Sequence, residues 1–259
     1  MTKITNPYLT IVNAKTKYNP DDFKGFEYEK VDIAMGDWGK KNGLIERQTN
    51  IAYKRAIEEL ESIGATCTLN SAGRTQFDQV YAKLEKFAGV LKKSKSIKKA
   101  FTDTKTLTAK LGYSEHLSAL AVDVSINTDI ISIPKKILQR YPDASLPELK
   151  FFTKRFIMEK NGFILSYPQD ERLEQVTGLK KPEGWHWRYV GAEHSQTIAK
   201  IREKVRVDLD EKHEVFLEDY VKLLGLDIKA ESEQELLQQY ADYFIKNIIK
   251  FAKKDELTV

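Results

Sequence analysis

The stretch SEHLSALAVDVS, residues 114–125, runs from a polar turn straight into a strand. Its second half, LAVDVS (120–125), alternates as a half-buried strand does. Asp123 stands in it between Val122 and Val124. A carboxylate among apolar neighbours is costly to bury without a partner. A metal ion is one such partner; a buried arginine or a cluster of backbone donors is another. A second stretch, EGWHWRYVG (183–191), holds the strand HWRYV (186–190), with Arg188 alternating against Trp187 and Tyr189.

Outward from these two strands the pattern mixes helices with further strands. Tyr53, Ala56, Ile57, Leu60 and Ile63 recur at helical spacing over 45–63, and Gly64 is placed to end that helix. ATCTLN (65–70) reads as a strand. A helix over 77–91 puts Val80, Leu84, Phe87 and Leu91 on one face, and the polar residues 92–112 read as a loop or a short helix. The first forty residues read as irregular, with extended pieces such as 8–12. Downstream, Ser145 and Glu148 make a capping box for a helix through Met158, which Asn161-Gly162 stops. FILS (163–166) is a strand and 167–182 a charged loop. After Gly191 the chain turns helical, and Ser232 with Glu235 forms a second capping box before Leu237, Ala241, Phe244, Ile248 and Phe251. Interspersed helices and strands with short connections predict an α+β fold. The expected organisation is a core over 1–195 and a helical C-terminal extension over 196–259 packed on it.

Composition removes several classes of function. Of 259 residues, 41% are hydrophobic and 31% charged, which permits a sizeable core and argues against disorder. The one cysteine, Cys67, excludes an intrachain disulfide framework and reads as a buried thiol in mid-strand. No apolar run approaches the roughly 18 residues of a membrane span. The N-terminus lacks the apolar stretch of a signal peptide, so the expected location is cytoplasmic, or the cell wall if a leader has been removed. The net charge of +4 is weak evidence for any partner. Basic density peaks in LKKSKSIKK (91–99), which could touch an anionic polymer such as nucleic acid or teichoic acid; such runs are usually solvated. No aromatic residue interleaves with these lysines, so nucleic acid is not an expected partner.

Four histidines are present: His116, His186, His194 and His213. A catalytic zinc takes three protein ligands of nitrogen or oxygen type and keeps one position open. His116, Asp123 and His186 could supply that set. Glu183, three residues before His186, is close enough to act as a base, and Arg74, in the turn Ser71-Ala72-Gly73-Arg74-Thr75, could stabilise an oxyanion. His194 reads as a capping or surface residue and His213 as exposed. Trp185 and Trp187, two apart on a strand, share the face opposite His186 and are expected to pack behind the site.

Taken together and in order, these pieces resemble the VanY-type zinc D-alanyl-D-alanine carboxypeptidases, within the wider group of lysostaphin-like enzymes and the hedgehog domain. The family pattern S-x-H-x-x-G-x-A-x-D is matched by Ser114, His116, Ala121 and Asp123, and E-P-W-H-x-R-Y-V-G by Glu183, Trp185, His186, Arg188, Tyr189, Val190 and Gly191. Ser71, Arg74 and Thr75 follow its S-G-Y-R-S turn. Residues 161–168 with Thr177-Gly178 resemble its N-x-G-F-I-x-R-Y-P…T-G stretch, and Leu217-Glu218-Asp219-Tyr220 its closing segment. The resemblance implies a small antiparallel sheet flanked by helices. It implies one Zn2+ on His116, Asp123 and His186, with Glu183 as base and Arg74 on the scissile carbonyl. Ser114 would contact substrate, and Gln79 would lie near its terminal carboxylate. The implied activity is hydrolysis of the terminal D-Ala-D-Ala bond of peptidoglycan stem peptides or precursors by zinc-activated water. The alternatives are L,D-carboxypeptidase or phage-lysin-type endopeptidase action, or a non-catalytic cell-wall peptide-binding module. The sequence departs from the pattern at Ala119 (glycine in the family), Ala72-Gly73 (Gly-Tyr), Gly184 (proline) and Ser166 (often arginine). These changes bear on substrate preference and leave every metal ligand and the base in place.

Overall fold

The strand at 120–125 is an inner strand of a four-stranded antiparallel sheet in a computed structural model, which describes residues 6–34, 42–107, 110–209 and 212–256. In chain order the elements are β1 (Tyr28–Asp32), β2 (Asn42–Glu46), α1 (Arg47–Ser62), β3 (Thr66–Ser71), α2 (Gln76–Ser94), α3 (Ile97–Leu107), β4 (Ala121–Asn127), α4 (Lys135–Arg140), α5 (Leu146–Lys160), β5 (Phe163–Leu165), α6 (Leu173–Thr177), β6 (His186–Tyr189), α7 (Ala192–Leu209), α8 (Leu217–Leu224) and α9 (Glu233–Glu256). The fold is α+β, as the interspersed pattern required. The main sheet runs β3-β4-β6-β5, and β1 pairs with β2 in a separate antiparallel pair.

Local chemistry explains most of the boundaries. Glu46 caps α1, its carboxylate accepting from the backbone N–H groups of Gln48 and Thr49. Gly64, at φ +98°, lets the chain leave that helix toward β3. Glu148 accepts from the backbone N–H and the hydroxyl of Ser145 at the start of α5. At α9, Ser232 accepts from Glu235 N, while the Glu235 carboxylate reaches back to Glu231 N. Phe251 lies outside the described side chains.

The short helix allowed for in 92–112 is α3. Three local expectations are corrected. Residues 8–12 form no strand; a 3-10 turn at Pro7–Leu9 takes their first part, capped by Asn6. On α2, Phe87 and Leu91 are half-buried, but Val80 and Leu84 face water rather than the core. His213 is half-buried rather than exposed.

Two apolar cores sandwich the sheet. One lies on the face bearing Val122, Leu165 and Trp187, which the register sets side by side, and is closed by α1 and α5 through Ala56, Leu60 and Ile157. The other joins Ile164 and Val190 to Ile198 and Val205 of α7, Tyr220 of α8 and Phe244 of α9. α7 runs unbroken through residue 195, and Ser195 is buried with its hydroxyl donating to Glu159 O. An ion network reinforces this junction. Arg155 of α5 donates to Glu159 and, through both terminal nitrogens, to Glu214, while Arg202 of α7 donates twice to Glu159.

At the start of α8, Asn13 Nδ2 donates to the half-buried Glu218 carboxylate at 2.5 Å. Burial pushes the Glu218 carboxyl up from 4.5 to about 7. The folded state therefore holds a proton that the unfolded chain has released, and stability falls as pH rises from about 4.5 to 7. Glu218→Gln keeps an acceptor for Asn13 and removes that slope. We expect it to melt higher than wild type at pH 8, by up to about 3 kcal/mol, and to match wild type near pH 4. Thermal melts across that range check the prediction; equal pH slopes in the two proteins would refute it.

Candidate active site

The sheet register builds the site. Ser71 on β3, Asp123 on β4 and His186 on β6 are direct cross-strand partners, so their side chains project from one face at one end of the sheet. A register shift between Leu69 and Ser71 bends β3 at this point and leads into the Arg74 turn. Arg74 N donates to His116 O, fastening that turn to the 3-10 helix Glu115–Ser118. Ala119 ends this helix at φ +57°, a left-handed conformation costing about 1 kcal/mol for a residue with a Cβ. Gly73 faces it: a Cβ added at 73 would come within 2.7 Å of the Ala119 Cβ. Gly73 also pairs with Leu44 of β2. The absence of a Cβ at Gly73 is therefore what leaves room for the Ala119 side chain.

Both histidines are oriented by partners behind them. His116 Nδ1 lies 2.8 Å from Ala72 O; the carbonyl can only accept, so Nδ1 carries the proton and Nε2 offers its lone pair toward Asp123, 3.2 Å away. His186 is turned the other way. Its Nε2 lies 2.8 Å from Glu115 Oε2 and its Nδ1 2.9 Å from Asp123 Oδ1. The two rings meet edge to face with centroids 4.8 Å apart. One ligand atom from each of His116, Asp123 and His186 falls within 4.8 Å of the others.

Asp123, Glu115 and Glu183 bring negative charge to this convergence, which a positive group must offset. Burial and the nearby Arg74 charge lower the His116 pKa, leaving a neutral ligand-competent imidazole. Burial opposes charge on His186, but Asp123 and Glu115 outweigh it and push its pKa up to about 10. Burial also opposes charge on Asp123, yet the protonated His186, donating from Nδ1, holds its carboxyl well below the usual range. Two imidazole nitrogens and a carboxylate oxygen, each imidazole fixed by a second partner, form a donor set suited to zinc. The residues present therefore fit the metal.

Glu183 and Arg74 flank this centre. Glu183 N donates to Tyr167 O, and His186 N donates to Glu183 O, which pins the backbone on both sides of the side chain. The Glu183 carboxylate is partly exposed, with Oε2 3.9 Å from His186 Nδ1. Burial raises its pKa, and the charges of Asp123 and Glu115 add to that. Arg74 donates from Nε to Ser71 Oγ at 3.0 Å and from Nη2 to Asp123 Oδ2 at 3.4 Å. All of these open into a cleft of about 540 Å3, which Ser114, Lys83 and Trp185 also line.

Trp185 departs from its expected packing, and Glu115 is a site residue the sequence did not reveal. Gln79 lines the cleft, and its amide donates to Lys110 O and accepts from Gly112 N, which holds the approach to Ser114. Trp187 is core, as expected, whereas Trp185 lies before β6, is 48% exposed and stands at the cleft. The missed residue is Glu115, which is fully buried against His186. Burial disfavours its charge, but the His186 hydrogen bond prevails and holds its pKa below the ordinary value. No local signal marked it: an acid between Ser114 and His116 reads as a solvated turn residue. Glu115→Gln is expected to weaken metal binding about tenfold, measured by chelator competition; unchanged affinity would reduce Glu115 to packing. The remaining candidates lie elsewhere. His194 bridges Tyr220 and Asn6, and burial raises the half-buried Cys67 thiol to about 11, too high for a nucleophile.

A family model described as VanY, D-alanyl-D-alanine carboxypeptidase, matches residues 44–192. The chain is 38% identical over 95 residues to the bifunctional D-Ala-D-Ala dipeptidase and D-Ala-D-Ala carboxypeptidase VanXYC of Enterococcus gallinarum, covering 37% of this chain and 45% of that protein. It is 39% identical over 84 residues to a D-alanyl-D-alanine carboxypeptidase of Enterococcus faecium, covering 32% of this chain and 22% of the relative. The matched region thus spans less than half the length of these curated relatives. Among solved structures, a vancomycin resistance D,D-pentapeptidase VanY mutant in complex with Zn(II) superposes with a TM-score of 0.55 at 22% identity, covering 83% of this chain and 99% of that one. The LdcB LD-carboxypeptidase superposes with a TM-score of 0.53 at 21% identity, covering 85% and 88%. At these identities the likeness is one of fold.

Proposed function

The chain belongs to the VanY D-alanyl-D-alanine carboxypeptidase family, and from that membership we propose that it is a zinc-dependent carboxypeptidase releasing the terminal D-alanine of peptidoglycan stem peptides or their precursors. The observation that carries the reading is the convergence of His116 Nε2, Asp123 and His186 Nδ1 beside Glu183 and Arg74 in one cleft. His116, Asp123 and His186 would hold the ion, which when bound supplies a Lewis acid that polarises the carbonyl and makes water more acidic.

The chain's own groups do the rest. Glu183 takes a proton from the attacking water and later delivers it to the nitrogen of the leaving D-alanine, so that the amide C–N bond breaks as the amine is protonated. Arg74, fixed by Ser71, directs its remaining N–H donors at the carbonyl oxygen as charge builds there. Ser114 contacts the peptide at the cleft wall. Recognition of a free C-terminal carboxylate needs a cation, and Lys83 meets that need: it lines the cleft, and no carboxylate among the described residues forms a salt bridge with it. Lys83→Met is expected to raise KM about tenfold for a peptide with a free C-terminus and to change little for its amide. Equal effects on the two peptides would remove Lys83 from that role.

The test of the activity is D-alanine release from a muramyl pentapeptide, run beside tetrapeptide and cross-linked substrates, with and without chelator. One D-alanine per pentapeptide, lost with chelator and restored by zinc, is expected. No release from the pentapeptide by zinc-loaded protein, with turnover of the tetrapeptide or the cross-link, would overturn the D,D assignment.

A further inference from the structure

The helices α2 and α3 pack on each other beside the cleft. Between residues 76 and 107 they carry eight lysines against three acidic residues and no arginine. Seven of those lysines are exposed, among them Lys92, Lys93, Lys95, Lys98 and Lys99. A solvated helix face would account for the charge alone. It does not account for the large apolar side chains exposed on the same two helices, Ile97 and Phe101 directly among the lysines and the Phe77 row at the start of α2. Ile97 is 72% exposed, and Phe77 and Phe101 are each 67% exposed. Tyr81 and Leu84 extend the Phe77 row at helical spacing, and Phe77 and Tyr81 meet edge to face at 4.8 Å.

The combination selects the partner. A soluble polyanion uses the lysines, and even one whose bases could stack on Phe77 or Phe101 gains nothing from the exposed aliphatic side chains of Leu84 and Ile97. A neutral apolar protein surface uses the aromatics and is opposed by the lysines. An anionic lipid bilayer uses both: apolar side chains enter the headgroup–acyl boundary, while lysine ammonium groups remain with the lipid phosphates. We propose that the α2–α3 hairpin docks on an anionic lipid bilayer. Gln79, Ala82 and Lys83 of α2 wall the cleft on the side of the helix away from Phe77 and Tyr81. Docking by the outer face therefore holds the cleft beside the membrane surface, within reach of peptides attached to lipid. The docking itself does not depend on the catalytic reading.

Cosedimentation of the full chain with vesicles tests it. One set is equimolar phosphatidylglycerol and phosphatidylcholine; the other is pure phosphatidylcholine. Binding to the anionic vesicles at low salt is expected, weaker by tenfold or more on pure phosphatidylcholine and at high salt. The double substitutions Ile97→Ser with Phe101→Ser, and Lys98→Glu with Lys99→Glu, are each expected to reduce binding at least tenfold. Both leave the melting temperature and the hydrolysis of soluble peptide unchanged. Absence of binding to anionic vesicles, or equal binding to both vesicle types, overturns the proposal. Wild-type binding by the Ile97/Phe101 variant also overturns it and assigns the lysines to a soluble polyanion. Because vesicle binding is read without substrate, a failure of the carboxypeptidase assignment leaves this result intact.

Discussion

Glu183→Gln is expected to lower kcat by about 10^2- to 10^4-fold, the range contributed by a positioned general base, while metal content and KM stay near wild type. The expectation follows from where the residue is held. Its backbone is fixed on one side by Tyr167 O and on the other by His186 N, so its carboxylate has a defined place beside the ligand set without belonging to it. Partial burial strengthens it as a base by raising its pKa, and the residual exposure leaves room for water between it and the substrate. Glutamine preserves size and hydrogen-bonding reach but cannot take the proton. Steady-state kinetics together with metal analysis of the purified variant separate the possibilities. Activity within threefold of wild type would remove Glu183 from proton transfer. Loss of metal in parallel with activity would make it a ligand instead.

The residues of this centre were legible in the sequence because several lie in strands and tight turns, where spacing fixes direction. Asp123 alternates out of an apolar run, and His186 opens a strand whose next residue, Trp187, belongs to the core. Two period-2 patterns therefore already place both side chains on the face opposite the core. What the sequence could not convey was register. Only pairing Asp123 with His186, and Ser71 with Asp123, puts the three side by side. Glu115 was invisible for a related reason. An acid between serine and histidine reads as a solvated turn residue, and its burial is created by His186, 71 positions away. Gln79 and Lys83 share one face of α2, and nothing local distinguishes the amide spent on Lys110 and Gly112 from the ammonium left facing the cleft. The outer face of α2 misled in the opposite sense. A helical apolar stripe ordinarily means core, and here Val80 and Leu84 are turned to solvent.

Arg74→Ala is expected to lower kcat by about 10^2- to 10^3-fold, equivalent to about 3–4 kcal/mol of transition-state stabilisation, with a smaller change in KM. Two roles compete for this guanidinium, and the geometry allows them to be weighed. Its 3.4 Å contact with Asp123 Oδ2 is long for a charge-assisted hydrogen bond, whereas its 3.0 Å bond to Ser71 Oγ uses Nε and leaves most of the terminal N–H donors available. The turn carrying Arg74 is independently tied to His116 O and to Leu44 through Gly73, so the guanidinium is supported by backbone that does not depend on Asp123. A group whose main work was to hold Asp123 would be expected to sit closer to it. If Arg74 acts on the carbonyl oxygen, Arg74→Lys retains charge but loses the fork of donors and recovers only part of the activity, while metal affinity is unchanged in both variants. If it acts through Asp123, metal affinity falls with kcat in Arg74→Ala, and added zinc restores turnover. Measuring kcat and metal affinity in the same two variants decides between them, because the oxyanion role moves only the first quantity and the ligand-positioning role moves both.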